Sequence, residues 1–374
     1  MYTFKFKIVL MVMILSFLPV RPLSAATWET KGELSEWLIL SDNALKDEAR
    51  LGMRYIPELS LTGSPAGSYK LDGLASVNAS FEAPTDDFRI NDERGSAKFH
   101  RLWGRWSTDQ FEARLGLQKI NFGPAKLLRS LIWFDTLDPR DPLKFTEGVK
   151  ALLLRYYFLD NTNIWLWGLY GNDDLRGVDR FTSDEKSPEA GCRIQTPVGP
   201  GEMALTVHHR KVDKEDWQKK MLIPLEDGSE DRVALDGVWD VGIGLWFEAA
   251  ASRTIINSNS NLWGNLFTVG GDYTLDTGLH ITAEHFNMWV GPAHDKTETI
   301  NSISAISADY GIGLLDRING IAYYNWEEEE SFGLAGWQRT YDDWIINIVG
   351  FTGPEGDIGN FSGNGVQLIV TYNH

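Results

Sequence analysis

Residues 111–157 read FEARLGLQKINFGPAKLLRSLIWFDTLDPRDPLKFTEGVKALLLRYY, and this stretch decides the fold. Phe111, Ala113, Leu115 and Leu117 alternate with Glu112, Arg114, Gly116 and Gln118. A period of two puts one set on each face of a strand. After the connection Ile120–Glu147, a second strand over Val149–Phe158 sets Leu152, Leu154, Tyr156 and Phe158 against Arg155 and Tyr157. The connection is too long for a tight hairpin, and a loop of that length is either functional or unstructured. Its Leu, Trp and Phe content argues for a folded loop. The expectation is a membrane β-barrel whose bore this loop narrows.

The chain around it fits that expectation. Lys5 and Lys7, an apolar run from Ile8 to Val20, and Ser24, Ala25 and Ala26 form the pattern of a secretory signal peptide over residues 1–26. The barrel is then expected over 27–374. No later apolar run is long enough for a transmembrane helix. One cysteine, Cys192, excludes an internal disulfide framework. A net charge of −17 argues against nucleic acid as a partner. Fifteen Trp, 12 Tyr and 18 Phe among 36 Gly suit an aromatic-girdled β protein.

Alternating segments continue along the chain. In 49–60, Leu51, Met53, Tyr55, Pro57 and Leu59 oppose Arg50, Arg54, Glu58 and Ser60; in 70–81, Leu71, Ala75, Val77, Ala79 and Phe81 oppose Lys70, Asp72, Ser76, Asn78 and Ser80. Short polar breaks, such as Asp276–Gly278 and Leu315-Asp316, take turns with longer ones, such as Pro84–Gly95 and Asn172–Pro188. That alternation predicts an all-β, antiparallel transmembrane barrel of about 18 strands, or about 16 if Trp337–Phe351 is one strand, with short periplasmic turns and long extracellular loops. A soluble secreted β-rich binding protein would also alternate, but no repeat of fixed period supports a sandwich or propeller of this size.

Faces assigned this way give the bore two charged walls. Arg50, Arg54, Lys70, Arg101, Arg105, Arg114 and Arg155 form a basic wall from the first half of the chain, and Asp236, Glu248, Asp272, Glu284 and Asp309 an acidic wall from the second. Charged rings of this kind set ion selectivity. The long connection adds Lys126, Arg129, Asp135, Asp138, Arg140 and Asp141 as a constriction set. Trp165 and Trp167, with Trp326, Trp337, Tyr341 and Trp344, read as interfacial girdles, or as a sugar-stacking path if they face inward. His208 and His209 are adjacent, so on a strand they point to opposite faces and cannot share a metal. No nucleophile elbow, zinc-hydrolase or phosphate-loop motif occurs, so no enzyme, cofactor or metal is expected.

The terminal strand, with Val366, Leu368, Val370 and Tyr372 alternating to the end, resembles the closing strand of bacterial outer-membrane proteins, although His374 stands where Phe or Trp is usual. Ile120–Glu147, as the third long loop, resembles the pore-constricting loop of general porins. Arg114, Gly116, Gln118, Gly123, Asp138-Pro139 and Asp141-Pro142 are similar to a pattern in alginate-export and related carbohydrate-selective porins. The resemblance implies a porin of the Gram-negative outer membrane passing small hydrophilic solutes, among them sugars or acidic sugars. Its partners would be outer-membrane lipid and lipopolysaccharide, the barrel-assembly machinery, and in a homo-oligomer a second copy. The alternative is a plugged barrel acting as scaffold or adhesin.

Overall fold

A computed structural model describes residues 26–43, 46–66, 69–86, 89–90, 94–136, 143, 145–292, 297–354 and 363–374. Nine strands form the first half: β1 (Ala26–Asn43), β2 (Lys46–Ala66), β3 (Tyr69–Asp86), β4 (Arg94–Ser107), β5 (Phe111–Gln118), β6 (Val149–Tyr157), β7 (Asn163–Leu169), β8 (Glu189–Val198) and β9 (Gly201–Lys211). Nine more follow: β10 (Ser229–Asp240), β11 (Gly244–Asn257), β12 (Ser260–Thr274), β13 (His280–Gly291), β14 (Glu298–Ile312), β15 (Asp316–Asn325), β16 (Glu330–Tyr341), β17 (Trp344–Thr352) and β18 (Asn364–Asn373). A two-residue strand, Arg89–Ile90, pairs antiparallel with the end of β3, and a helix, α1 (Lys214–Met221), lies between β9 and β10. Each barrel strand pairs antiparallel with its neighbours, and β18 returns to β1 in register from Glu33↔Asn373 to Asp42↔Asn364. The sheet is closed. The stretch Trp337–Phe351 resolves into two strands joined at residues 342–343, which settles the count at eighteen.

Exposure along the strands separates a membrane barrel from a soluble sheet. On β9, Thr206, His208 and Arg210 are buried while Leu205 and Val207 are exposed; on β10, Arg232 and Asp236 are buried while Val233 and Leu235 are exposed. A water-soluble protein hides the opposite set. Here the apolar residues face outward as a belt and the charged residues face the bore. No helix among the described residues is long and apolar enough to cross a membrane, so the crossing is made by strands.

The wall is uneven in height. β1, β2 and β3 run 18, 21 and 18 residues, while β5, β6 and β7 run only 8, 9 and 7. About 9–11 residues suffice to span the membrane, so the first three strands rise well past the belt. Of the breaks expected as long loops, Thr254–Asn261 is strand except for a turn at 258–259, and Glu327–Glu329 lie in the tight turn between β15 and β16. The two longest connections, residues 119–148 and 170–188, leave the sheet where the wall is low. We name the loop between β5 and β6 L3, the one between β7 and β8 L4, and the one carrying α1 L5.

The predicted leader lies outside the described residues up to 25, and Ala26 already belongs to β1. At the other end His374 exchanges backbone hydrogen bonds with Gly32 at 2.9 and 3.0 Å. Its ring stacks between Tyr55 and Tyr372 and meets the Tyr55 hydroxyl at 3.0 Å. An aromatic plate thus still closes the periplasmic rim. Deleting His374 removes those bonds, and a loss of about 1–3 kcal/mol is expected; it should appear as a lower melting temperature of the heat-modifiable band on gels.

Candidate functional site: a loop docked across the bore

L3 enters the lumen over the low wall and packs there as a small core would. Ile120, Phe122, Leu131, Trp133 and Phe134 cluster with inward Val149, Ala151 and Leu153 of β6, Trp167 and Leu169 of β7, Ala234 of β10 and Ala250 of β11. Phe122 stacks on Trp167 at 5.7 Å and meets Trp133 edge-on at 5.7 Å. Trp165 and Trp167 therefore face the lumen and do not belong to the girdle, because β7 carries Leu166 on its lipid side.

The loop's backbone needs hydrogen-bond acceptors, since the described part of L3 has no regular secondary structure to supply them. Two carboxylates provide them. Glu284 accepts from the amides of Lys126, Leu127 and Leu128 at 2.6, 2.9 and 2.6 Å, and from the Trp246 indole at 3.0 Å. Glu248 accepts from the amides of Ala125 and Leu131 at 3.0 and 2.8 Å. Thr268 donates to the Leu128 carbonyl at 2.6 Å and meets Ser130 at 2.8 Å. Lys126 contacts Asp272 and lies over the Trp246 ring. Close approach sets two further requirements. A Cβ on Gly123, which has φ +91°, would stand 2.3 Å from Glu248 Oε1; one on Gly177, in L4, would stand 1.8 Å from the Ile132 carbonyl.

The expected acidic wall is thus placed inward, but three of its members do not stand bare against the bore. Glu248 is fully buried beneath L3, Glu284 is nearly so, and Asp236 is held by Arg193 at 2.6 Å. Asp272 serves Lys126, and Asp309 pairs with Arg317 at 2.6 Å away from the loop. Of the constriction residues, Lys126 anchors, Arg129 donates to the Phe122 carbonyl at 2.8 Å, and Asp135 accepts from the Thr136 amide at 2.8 Å. Asp138, Arg140 and Asp141 lie outside the described residues.

L3 then reaches the far side. Leu143 packs against an inward apolar group that includes Trp37, Ile39, Leu334, Phe351 and Ile369. Phe145 lies under the Arg54 guanidinium at 5.1 Å, and Arg101 donates to the Thr146 carbonyl at 2.9 Å. L3 thus contacts β6, β7 and β10–β13 on one side of the bore and, through Leu143, Phe145 and Thr146, the apolar group of β1 and β16–β18, Arg54 of β2 and Arg101 of β4 on the other. At that return, burial and the nearby Asp174 charge raise the Glu147 carboxyl above its ordinary value.

The basic residues run from loop level toward the periplasmic turns. Arg54 pairs with Glu33 at 3.1 Å. Lower down, Arg105 pairs with Asp72 at 2.7 Å, and Glu112 meets Arg105, Arg114 and Arg155 at 3.4, 2.9 and 3.6 Å. Arg114 lies 4.7 Å over Trp103 and Arg155 3.9 Å over Trp165. Three guanidiniums face two carboxylates there, which leaves the cluster positive. Arg50 shares the Arg54 face of β2, and Lys70 stands exposed at the periplasmic end of β3.

A further charged group escaped the sequence reading because it joins two residues of L4, Arg176 and Asp179, to side chains of β8, β9 and β10. Arg176 binds Glu189 at 2.8 Å, Asp179 binds Arg210 and Arg232 at 2.7 Å each, and Arg210 also binds Glu230 at 2.6 Å. His208 accepts from Trp167 at 3.2 Å and meets Glu189 at 3.1 Å, whereas His209 lies exposed beside Asp231. The alternation of β9 separates the two histidines. No metal-binding cluster is found among the described residues.

No protein-family profile and no curated protein matches the chain. Solved structures do. The chain is similar to the outer membrane protein OmpT of Vibrio cholerae in trimer form (TM-score 0.55, 12% identity, covering 94% of this chain and 100% of that one). It is also similar to OccAB1 of Acinetobacter baumannii (0.59, 9%, 93% and 95%) and to OccK7 of Pseudomonas aeruginosa (0.54, 11%, 93% and 98%). At such identities the likeness is one of fold: the chain has the closed antiparallel β-barrel fold of these porin-type proteins.

Glu284→Leu leaves three loop amides and an indole without their acceptor, each charge-assisted bond being worth about 1.5–3 kcal/mol. L3 should undock, seen as new protease cleavage between residues 120 and 136 in a barrel that remains heat-modifiable. Gly123→Ala should produce the same cleavage by steric displacement from Glu248.

Proposed function

We propose that the chain is a porin-like channel for passive passage of small hydrophilic solutes, with acidic solutes, acidic sugars among them, favoured. The observation that carries this reading is the asymmetry beneath the docked loop. The second-half carboxylates are largely occupied, by loop amides, Lys126 or arginines, while Arg105, Arg114 and Arg155 outnumber the carboxylates beside them. A positive strip in a narrow, low-dielectric bore concentrates anions. The guanidinium fork suits carboxylates, and Trp103 and Trp165 support Arg114 and Arg155 in place at the wall. The channel would sit among outer-membrane lipids and lipopolysaccharide, delivered by the barrel-assembly machinery after removal of the leader. The Vibrio cholerae relative's trimer form supports a homo-oligomer.

The test is single-channel recording of the folded barrel in planar bilayers under a salt gradient. Open steps with an anion-directed reversal potential are expected. Arg114→Gln with Arg155→Gln leaves one guanidinium against two carboxylates and should move the reversal potential to the cation side. Deleting residues 127–136 should raise conductance. A folded barrel that stays silent, with and without the deletion, would support the scaffold reading instead.

A further inference from the structure

Glu36 stands on the side of the wall where a charge is not expected. Along β1 the inward residues Ser35, Trp37 and Ile39 are buried, while Glu36 and Leu40 are exposed on the lipid-facing side. On that face Leu34 lies to one side of Glu36 along the strand, and Leu38 and Leu40 to the other. Its register partners are Val370 of β18 and Met53 of β2. It is therefore set within the apolar belt and not at its edge. A carboxylate is costly there, because hydrocarbon offers it neither water nor a donor. Among the described residues Glu36 forms no hydrogen bond and no ion pair. Outward charges nearer the extracellular edge are engaged: His209 meets Asp231 at 2.7 Å, and Arg253 donates to Asn261 at 3.3 Å.

Farther round the same outer face the wall is hollow. Ala308, Gly320, Ala322, Gly333, Ala335 and Gly350 line a depression of about 980 Å³ across β14–β17. Beside it β16 turns Trp337 and Arg339 outward, and Arg339 is only loosely paired with Asp316, at 3.8 Å. Arg339, Ile346, Val370 and Glu36 are successive register partners, so β16 and β1 are three strand steps apart. Arg339 lies near the end of β16 and Glu36 in the middle of β1, so this row climbs across the face. A level line from Glu36 therefore meets β16 beside Ala335 and Trp337, just above Arg339. In a ring of three barrels each meets its two neighbours in directions about 60° apart, which is about three strands of an eighteen-stranded wall. We propose that the outer face from β14 round to β1 is the contact between copies of this chain in a closed trimer, with Glu36 of one copy set beside Trp337 and Arg339 of the next. The indole and the guanidinium supply the donors that the carboxylate lacks in lipid, and the neighbour's Leu38, Leu40 and Met53 cover the depression. The contact rests on the homo-oligomer proposed above and not on conduction, so the two can be tested apart.

The experiment is light scattering and native mass measurement on the full, detergent-folded barrel, alongside bilayer recording of the same preparation. The native chain should run as three copies. Glu36→Leu takes a charge out of the lipid-facing belt, so a barrel covered there by lipid alone would be undisturbed. A barrel covered by its neighbour should come apart, its association weakening about tenfold or more. Ala335→Trp fills the depression and should have the same effect, while Ala251→Trp, on the outward face of β11, should leave three copies. Arg339→Glu should also dissociate the trimer, and adding Glu36→Arg in the same chain should restore it. None of these changes touches the lumen, so each barrel should keep its heat-modifiable form. A monomeric native chain would overturn the contact and the homo-oligomer together, leaving the channel reading to the recordings. A trimer that survives Glu36→Leu and Ala335→Trp overturns this face and leaves the oligomer standing. A silent barrel whose trimer falls apart on Glu36→Leu upholds the contact and counts against the channel.

Discussion

Everything in this molecule depends on the pairing of β18 with β1. A sheet edge in hydrocarbon has no water to satisfy its amides and carbonyls, so a spanning sheet must close on itself. The register from Glu33↔Asn373 to Asp42↔Asn364 achieves this and fixes which residues see lipid and which see the bore. His374 extends the closure by one further backbone exchange with Gly32. Once closed, the sheet inverts the usual distribution: Leu205 and Leu235 point outward into hydrocarbon, while Arg210 and Glu248 are buried inside.

Closure also creates an interior that must be organised. A barrel of eighteen strands is too wide for its own side chains to fill, and L3 supplies the filling. Its aromatic half packs as an apolar core against β6 and β7, and its amides are taken by Glu248 and Glu284. Both modes of attachment are necessary. Apolar packing alone would bury unpaired amides, and carboxylates alone would be unpaired charges in the wall. Gly123 permits the contact, since any side chain there would collide with Glu248. L4 is held in a different way, through arginines and carboxylates that pair with one another. The short strands β5–β7 lower the wall where both loops turn inward.

A charge on an inward strand can serve the bore or serve a loop, and the two outcomes divide the molecule. The carboxylates of β11 and β13 face inward like the arginines of β4–β6, yet they are sequestered by backbone donors. The arginines instead share too few partners. Glu112 meets three guanidiniums, and the surplus positive charge lies below the loop, toward the short-turn end of the barrel. Aromatic rings beneath Arg114 and Arg155 hold those guanidiniums flat against the wall without neutralising them.

The amino-acid sequence by itself determined the barrel. Period-2 alternation fixes the inward and outward faces of a strand without reference to its neighbours, so Arg114, Asp272 and Asp309 could be assigned to the bore from local pattern alone. The turns at Asp276–Gly278 and Leu315-Asp316 were legible for the same reason: turn chemistry is local. Strand lengths were less so, because polar residues above the belt stay paired in hairpins and look like loop in one dimension. Tertiary structure alone decided what the inward residues do. Whether Glu284 faces water or three amides depends on a loop more than 150 positions away in sequence, and a carboxylate carries no local mark of its acceptor role. The lumen placement of Trp165 and Trp167 and the L4 arginine network arise in the same way. Each is a juxtaposition of distant segments, which no local period encodes.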